Sequence, residues 1–156
     1  MTKEEKYIKL ALKQAKKAQL IDEVPIGCVV VKDDKVIARG YNLRETKNNV
    51  IKHAEIVAIE KACKKLGSWR LVDCDIYVTL EPCPMCAGAI YQARMKRVIF
   101  GASDLKAGAL GGNFDMYKEK LNHYPEVIKN ICENECSEII REYFKNKRKN
   151  KKNCKQ

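Results

Sequence analysis

Residues 76–89, IYVTLEPCPMCAGA, change from one hydrophobic pattern to another. The first part is a run of β-branched and aromatic residues, which is typical of a strand. Pro84 follows where a proline is tolerated, in the first turn of a helix, and the pattern predicts a helix from there to about Ala93. Cys83 and Cys86 therefore lie at the junction between a predicted strand and a predicted helix.

Upstream of this junction, a second helix is predicted to begin near His53 and to end at Gly67. Its buried stripe is predicted to consist of Ala54, Val57, Ala58, Ala62 and Leu66. Residues 26–31 and 36–38 are two apolar runs separated by a short charged segment, which predicts a β-hairpin. The pattern Thr2-x-x-Glu5 resembles a capping box and predicts a helix over the first eighteen or so residues.

Downstream, residues 98–100 predict a short strand, and residues 103–113 predict a loop rich in Gly and Ala. Residues 133–147 predict a final basic helix. The order hairpin, helix, strand, helix, strand is typical of a mixed sheet with helices on its faces, so the predicted fold class is α/β. A chain of 156 residues has the size of one domain, which we assign to residues 1–145, with residues 146–156 as a basic, flexible tail.

The formal charge of +11 is concentrated at the two ends of the chain. Residues 141–156 hold eight Lys or Arg against one Glu, and residues 1–17 hold six Lys against two Glu. Such ends suit a polyanion such as nucleic acid, although a solvated Lys-rich tail explains them equally well.

The sequence contains no apolar run of the length that a membrane span requires, so no membrane partner is predicted. The charged N-terminal segment lacks the apolar stretch of a secretory signal, and a cytoplasmic location follows as the prediction. In a reducing compartment, the eight cysteines are expected to be free thiols or metal ligands rather than disulfides.

The pattern His53-x-Glu55 followed by Cys83-x-x-Cys86 predicts a metal centre. One imidazole and two thiols are three ligands of the type that Zn²⁺ prefers. A structural zinc site would close with a fourth Cys or His, but the other histidine, His123, is distant in sequence and unpaired. The missing fourth ligand favours a catalytic site with bound water, and Glu55 is close enough to His53 to exchange protons with that water.

At these residues the sequence resembles the zinc-dependent nucleoside and nucleobase deaminases, whose H-x-E…P-C-x-x-C signature it carries. The resemblance to their tRNA adenosine deaminase branch extends over most of the chain. It covers VPIG at 24–27, GYN at 40–42, HAEI at 53–56, YVTLEPCPMCAGA at 77–89, VIFGA at 98–102, the D-x-K-x-G-A pattern at 104–109, and NH at 122–123. It departs at residues 49–52, NVIK, where family members often carry Asp-Pro before a small residue.

The resemblance implies a three-layer α/β/α cytidine-deaminase-like fold, with a central mixed sheet of about five strands and helices on both faces. It implies one Zn²⁺ per chain held by His53, Cys83 and Cys86, with Glu55 as the general acid and base. The implied reaction is hydrolytic deamination of adenosine to inosine at the wobble position of a tRNA anticodon. In the family picture zinc-bound hydroxide attacks C6 of adenine while Glu55 relays the proton.

The resemblance also implies a homodimer that binds the anticodon stem-loop of a tRNA. The substrate-binding positions that it carries over are Asn42, Ala54, Asp104, Lys106, Tyr143 and Phe144. Ordinary structural roles remain open for several of them: a turn for Asn42, a solvated loop for Asp104 and Lys106, and core or dimer contacts for Tyr143 and Phe144.

Two alternative functions remain open on the sequence alone. Guanine deaminases share a very similar HAE and EPCPMC region, so a deaminase of a free base is one alternative, although the basic ends favour an RNA substrate. The other alternative is a non-catalytic RNA-binding module stabilised by zinc, which would require a fourth ligand from the protein.

Overall fold

The computed structural model describes residues 1–154, with side chains described for residues 1–152. Residues 155 and 156, the last two of the predicted tail, lie outside the described residues. Within residues 1–154 there are four α-helices, five strands and one 3₁₀ turn. Their order is α1 (Lys3–Leu20), β1 (Gly27–Lys32), β2 (Lys35–Tyr41), α2 (Ala54–Leu66), β3 (Cys74–Leu80), α3 (Pro84–Gln92), β4 (Arg97–Ala102), the 3₁₀ turn (Met116–Lys118), β5 (Glu126–Ile128) and α4 (Glu133–Cys154).

The strands form one mixed sheet in the order β2-β1-β3-β4-β5. β1 pairs antiparallel with β2 and with β3, whereas β3 pairs parallel with β4 and β4 pairs parallel with β5. Leu80 at the end of β3 lies beside Ala102 at the end of β4. Because parallel strands end at the same edge of a sheet, the segments that follow β3 and β4 start next to each other.

Alternate residues of the strands face opposite layers of helices, as the period of two in a strand requires. On one face, Val30, Val78 and Phe100 pack in a core cluster with residues of α2 and α3. On the other face, Tyr77 and Ile99 pack in a second cluster with residues of α1 and α4. The predicted three-layer α/β/α class with a mixed sheet of about five strands is therefore confirmed.

Local signals in the sequence mark several element ends as predicted. The capping box at the start of α1 is formed, with the Glu5 amide donating to Thr2 Oγ1 at 3.1 Å and the Glu5 carboxylate accepting from the Thr2 amide. Gly67 ends α2 in the left-handed conformation, with φ of 62°. Asp33 and Asp34 turn the hairpin with φ of 51° and 58°.

Two features differ from the local predictions. β5 is only three residues long and had no separate signal in the sequence. α4 continues past residue 147 to Cys154, so the predicted domain boundary after residue 145 lies inside a helix and residues 146–154 extend it. Lys and Arg are good helix formers, which allows the helix to continue into the basic segment. None of the described helices is apolar enough over a sufficient length to span a bilayer.

Two glycines allow helices to lie directly against the sheet. A Cβ atom on Gly27 in β1 would overlap the backbone of α1 at Ala11 and Ala15. A Cβ atom on Gly40 in β2 would overlap the backbone of α2 in the same way. A side chain at either position would push a helix away from the sheet, so these close approaches fix the distance between the layers.

We expect Gly27→Ala and Gly40→Ala each to lower the free energy of unfolding by about 1–3 kcal/mol, because overpacking forces backbone shifts. Urea denaturation of the purified variants measures this change. Gly88→Ala in α3 is the matched control, since a Cβ atom there meets open space and alanine favours a helix. Equal stability of all three variants would contradict the close approach of α1 and α2 to the sheet.

Candidate active site

The three predicted metal ligands come from the starts of two helices on the same face of the sheet. His53 is the N-cap residue of α2 and Cys83 is the N-cap residue of α3, both with extended backbone. Cys86 lies in the first turn of α3 and is buried. His53 Nδ1 lies 3.6 Å from the Sγ atom of Cys83 and 3.6 Å from that of Cys86, and all three ligand atoms lie within 4.8 Å of one another.

This cluster fits a tetrahedral zinc ion. With Zn–S bonds of about 2.3 Å and a Zn–N bond of about 2.0–2.1 Å, tetrahedral angles place nitrogen and sulfur about 3.5 Å apart. The measured spacing agrees with that value, and the donor set of one imidazole and two thiols is one that zinc prefers. Cys132 and Cys136 are also near each other in sequence, but they join no such cluster among the described residues.

Hydrogen bonds within the cluster favour one thiolate before any metal binds. The pKa of Cys83 is lowered to about 4, because the Cys86 thiol and then His53 hydrogen-bond to its thiolate. The same hydrogen bond raises the pKa of Cys86, which keeps the shared proton. The Cys83 thiolate in turn raises the pKa of His53. A site with a preformed thiolate at a helix N-terminus is suited to bind a cation.

Glu55 lies in the first turn of α2 and is only 4% exposed. Burial raises its pKa to about 7, and the negative charge of Cys83 adds to this effect. A carboxyl group with a pKa near neutrality can both accept and donate a proton at physiological pH. Glu55 therefore has the protonation behaviour of a general acid and base beside the ligand cluster.

A cavity of about 600 Å³ opens over these residues, a size that suits a nucleobase with its ribose. Seven of the predicted site residues line it: Asn42, His53, Glu55, Cys83, Asp104, Lys106 and Phe144. The cavity is bounded by the segment after β2 on one side and by the segment after β4 on the other.

Asn42 is buried, and its side chain is held by the loop around it. The Asn42 amide group donates to the Val24 carbonyl at 3.3 Å, and its Oδ1 atom accepts from the Arg44 amide at 3.1 Å. An amide side chain offers two donor hydrogens and two acceptor lone pairs, so these contacts leave capacity for a ligand in the cavity.

Asp104 organises its own turn. Its Oδ1 atom accepts from the backbone amides of Lys106 at 3.0 Å and Ala107 at 3.1 Å. Lys106 is exposed on the same turn and lines the cavity. The turn presents a carboxylate and an ammonium group at the mouth of the cavity.

Two predicted substrate contacts lie elsewhere. Ala54 is fully buried in the core cluster and is absent from the described cavity lining. Tyr143 is 8% exposed, donates to the Asp22 carbonyl at 3.1 Å and lies outside the lining of this cavity. Phe144 is 43% exposed at the cavity mouth and contacts the Tyr143 ring edge-on, with centroids 5.3 Å apart.

Two buried carboxylates that hold the loops after β2 and β4 had no role in the sequence predictions. Glu23 accepts from the amides of Glu45 at 3.1 Å and Thr46 at 2.6 Å, and so fixes the loop after β2. Burial opposes the ionisation of Glu23, but the hydrogen bonds from Thr46 and Glu45 hold its pKa below the ordinary value. Glu81 fixes the loop after β4 in a similar way. Glu81 lies within the stretch 77–89 that carries the family resemblance, but neither acid stands in a local pattern that predicts its hydrogen bonds.

Comparison with known proteins gives the family of the chain. The profile of the MafB19-like deaminases matches residues 2–148. The tRNA-specific adenosine deaminase of Bacillus subtilis (strain 168) is 48% identical over 153 residues, which cover 97% of this chain and 95% of that protein. The chain belongs to the tRNA-specific adenosine deaminase family. Another member, from Haemophilus influenzae, is 42% identical over 96% of this chain and 87% of its own length.

Solved structures agree with membership of the tRNA-specific adenosine deaminase family. A structure from work on A-to-I editing by tRNA:A34 deaminases superposes with a TM-score of 0.81 and 45% identity, covering 85% of this chain and 97% of that chain. Guanine deaminase from Bacillus subtilis has a TM-score of 0.61 and 36% identity, covering 76% of this chain and 86% of that chain. By both TM-score and sequence identity, the chain is nearer to the tRNA:A34 deaminase structure than to this guanine deaminase.

Proposed function

We propose that this chain is a zinc-dependent hydrolase that converts adenosine to inosine at the wobble position of a tRNA anticodon. The observation that carries the proposal is the buried Glu55 in one cavity with a His53, Cys83 and Cys86 cluster of zinc-like spacing. The names of the relatives that match over nearly the whole chain support tRNA adenosine as the substrate. The overall reaction is adenosine plus water giving inosine and ammonia.

His53, Cys83 and Cys86 would hold one Zn²⁺ per chain. When bound, zinc supplies an activated water by lowering the water pKa from 15.7 toward about 7. Glu55 takes a proton from the attacking water and delivers protons to N1 and to the departing amino group of adenine. Burial favours the protonated form of Glu55, so its carboxyl group can release a proton as well as accept one.

The cavity walls would select and orient the adenosine. Asn42 has hydrogen-bonding capacity toward the cavity and would bind the flipped nucleoside. Asp104 and Lys106 would contact the neighbouring ribose and phosphate groups, and the exposed ring of Phe144 would stack with a flanking base. Ala54 would contribute only through its backbone, because its side chain lies in the core. Tyr143 would act indirectly by supporting Phe144.

A second groove supports a substrate larger than a free base. It has a volume of about 1150 Å³ and runs along α4. Arg44 and Phe144 line both this groove and the catalytic cavity, so the two spaces adjoin. Four basic residues line the groove (Arg44, Lys147, Arg148 and Lys151) against the two acids Asp22 and Glu45, so its net charge is positive, which suits the phosphates of an RNA strand.

The proposed enzyme works in the cytoplasm, where tRNA is available, and it forms a homodimer. The homodimer is what the resemblance to the tRNA adenosine deaminase branch implies. Light scattering after gel filtration tests the dimer, with twice the 17.9 kDa chain mass expected.

The direct test of the activity is to sequence total tRNA before and after incubation with the purified protein, and to score A-to-G changes as inosine. We expect conversion at the anticodon wobble position. A parallel reaction supplies guanine and measures xanthine. Conversion of guanine without any inosine in tRNA would replace the proposal with the free-base alternative.

The basic part of α4 is expected to contribute to RNA affinity. Replacing Lys149, Lys151 and Lys152 with Gln should weaken binding of an anticodon stem-loop and reduce the slope of log K against log salt by at most about 2, at roughly 0.7 per lost contact. Fluorescence anisotropy at several salt concentrations measures both quantities. The rate with saturating substrate should change much less.

The matched control removes the same charge from α1, by replacing the exposed Lys13, Lys16 and Lys17 with Gln. Equal effects of the two triple variants would mean that only net charge matters. An unchanged slope for the α4 variant would mean that these lysines are only solvated.

A further inference from the structure

Glu81 is a buried carboxylate that directly follows β3, and it is only 3% exposed. Its Oε1 atom accepts from the Asp104 amide at 3.0 Å. Its Oε2 atom accepts from the amides of Leu110 and Gly112, each at 2.9 Å. One side chain thus binds both ends of the loop that follows β4.

The loop is shaped around this carboxylate. Cβ atoms placed on Gly108 or Gly112 would overlap the Glu81 carboxylate and the Asp104 carbonyl. The Ala109 amide also donates to the Pro82 carbonyl at 2.9 Å, next to Glu81 in the chain. Glycine at positions 108 and 112 is therefore required by the buried acid.

The same acid is connected to the ligand segment. The Glu81 amide donates to the Ala102 carbonyl at 2.8 Å, which joins the ends of β3 and β4. Cys83 follows two residues later as the N-cap of α3. The carboxylate therefore ties the loop of Asp104 and Lys106 to the segment that carries a predicted zinc ligand.

We infer that Glu81 is a positioning residue, which holds the loop of Asp104 and Lys106 at a fixed distance from Glu55 and the ligand cluster. This inference rests on the proposed function, because it assigns the loop a role in substrate binding. Glu81 itself also lines the cavity, but its two oxygens are occupied by three backbone donors. It acts through the loop and not on the reacting atoms.

A carboxylate is needed because donors approach both oxygens. Glutamine has nearly the same shape but only one carbonyl oxygen, and its amino group would face a backbone amide. Either Asp104 or the pair Leu110 and Gly112 would then lose its acceptor. An unpaired buried donor is costly, so one end of the loop should detach.

The experiment compares Glu81→Gln and Gly112→Ala with two matched controls. Glu119→Gln makes the same chemical change at an exposed carboxylate, and Gly88→Ala adds a methyl group where space is open. Each protein is measured for zinc content, for hydrogen exchange of the Asp104, Leu110 and Gly112 amides, and for kcat and KM with an anticodon stem-loop.

For Glu81→Gln and Gly112→Ala we expect the exchange of at least one of these amides to accelerate by about tenfold or more. We expect KM to rise by about tenfold or more, because the displaced loop no longer holds the substrate in the correct orientation. Zinc content should be unchanged. Both controls should match the wild type. If Glu81→Gln fails to fold, Gly112→Ala alone carries the comparison.

Faster exchange with unchanged kcat and KM would overturn the inference, because the loop would then be free to move without consequence. Loss of zinc in both variants would also overturn it, since Glu81 would then support the ligand segment rather than the loop. Failure of the proposed function would give a different result, because the wild type itself would not deaminate the stem-loop. The exchange measurements would still show whether Glu81 holds the amides of Asp104, Leu110 and Gly112.

Discussion

Glu55→Gln is expected to reduce kcat by about 10²- to 10⁴-fold, the range found when a general acid or base is removed. Glutamine keeps the size of the side chain in its buried position but cannot take up or release a proton. Inosine formation in a defined anticodon stem-loop, followed over time under single-turnover conditions, measures the loss. Zinc content and affinity for the stem-loop should remain close to the wild type, because Glu55 is outside the His53, Cys83 and Cys86 cluster.

Glu60→Gln is the matched control for this variant. Glu60 lies on the same helix, α2, but it is exposed and forms a surface ion pair with Lys52 at 2.8 Å. Such pairs contribute little, so the control should keep its activity. Full activity of Glu55→Gln would instead favour the alternative of a zinc-stabilised RNA-binding module without catalysis.

Cys83→Ala and Cys86→Ala are each expected to lose bound zinc and with it turnover. Three ligands are the minimum for a tight catalytic zinc site, and the two thiolates supply its neutralising charge. Metal analysis of the purified variants and the stem-loop assay measure both losses. Cys63→Ala is the control, because this half-buried free thiol lies in α2 away from the cluster.

A chelator adds a second readout to the ligand variants. Zinc that binds only the folded state stabilises it, so chelation should lower the midpoint of thermal unfolding of the wild type and of Cys63→Ala. The two ligand variants should unfold at the same temperature with and without chelator. A chelator effect that persisted in Cys83→Ala and Cys86→Ala would place the metal elsewhere in the chain.

The ligand cluster could be predicted from sequence because its chemistry depends on residue type and spacing. His53 and Cys83 each precede a helix whose start is marked by apolar periodicity, and Pro84 fixes the second start. The resemblance to deaminases supplied the proposed role of Glu55 and the three layers. The strands were found from runs of β-branched residues, except β5, which is too short to have a pattern of its own.

The anchors of the loops after β2 and β4 could not be predicted in the same way. Glu23 and Glu81 act through hydrogen bonds to backbone amides more than twenty residues away in the chain. Such contacts depend on how loops fold back, and no local periodicity reports them. Tyr143 is a further example, because nothing in its helical pattern predicts that its hydroxyl group donates to the Asp22 carbonyl in the turn after α1.

The end of α4 illustrates a further limit. A run of Lys and Asn residues fits a solvated tail as well as a helix, because its pattern has no apolar stripe to identify a packed face. In the structure Lys147 is held by Asp22 at 2.7 Å and lies over the Tyr143 ring, which connects the first part of this segment to the domain.

The glycine contacts of β1 and β2 have a consequence for motion during turnover. With no side chain between strand and helix at Gly27 and Gly40, neither α1 nor α2 can slide without a backbone collision. The helix that carries Glu55 and begins after His53 is therefore held at a fixed distance from the sheet, so the site keeps one arrangement from one proposed catalytic cycle to the next.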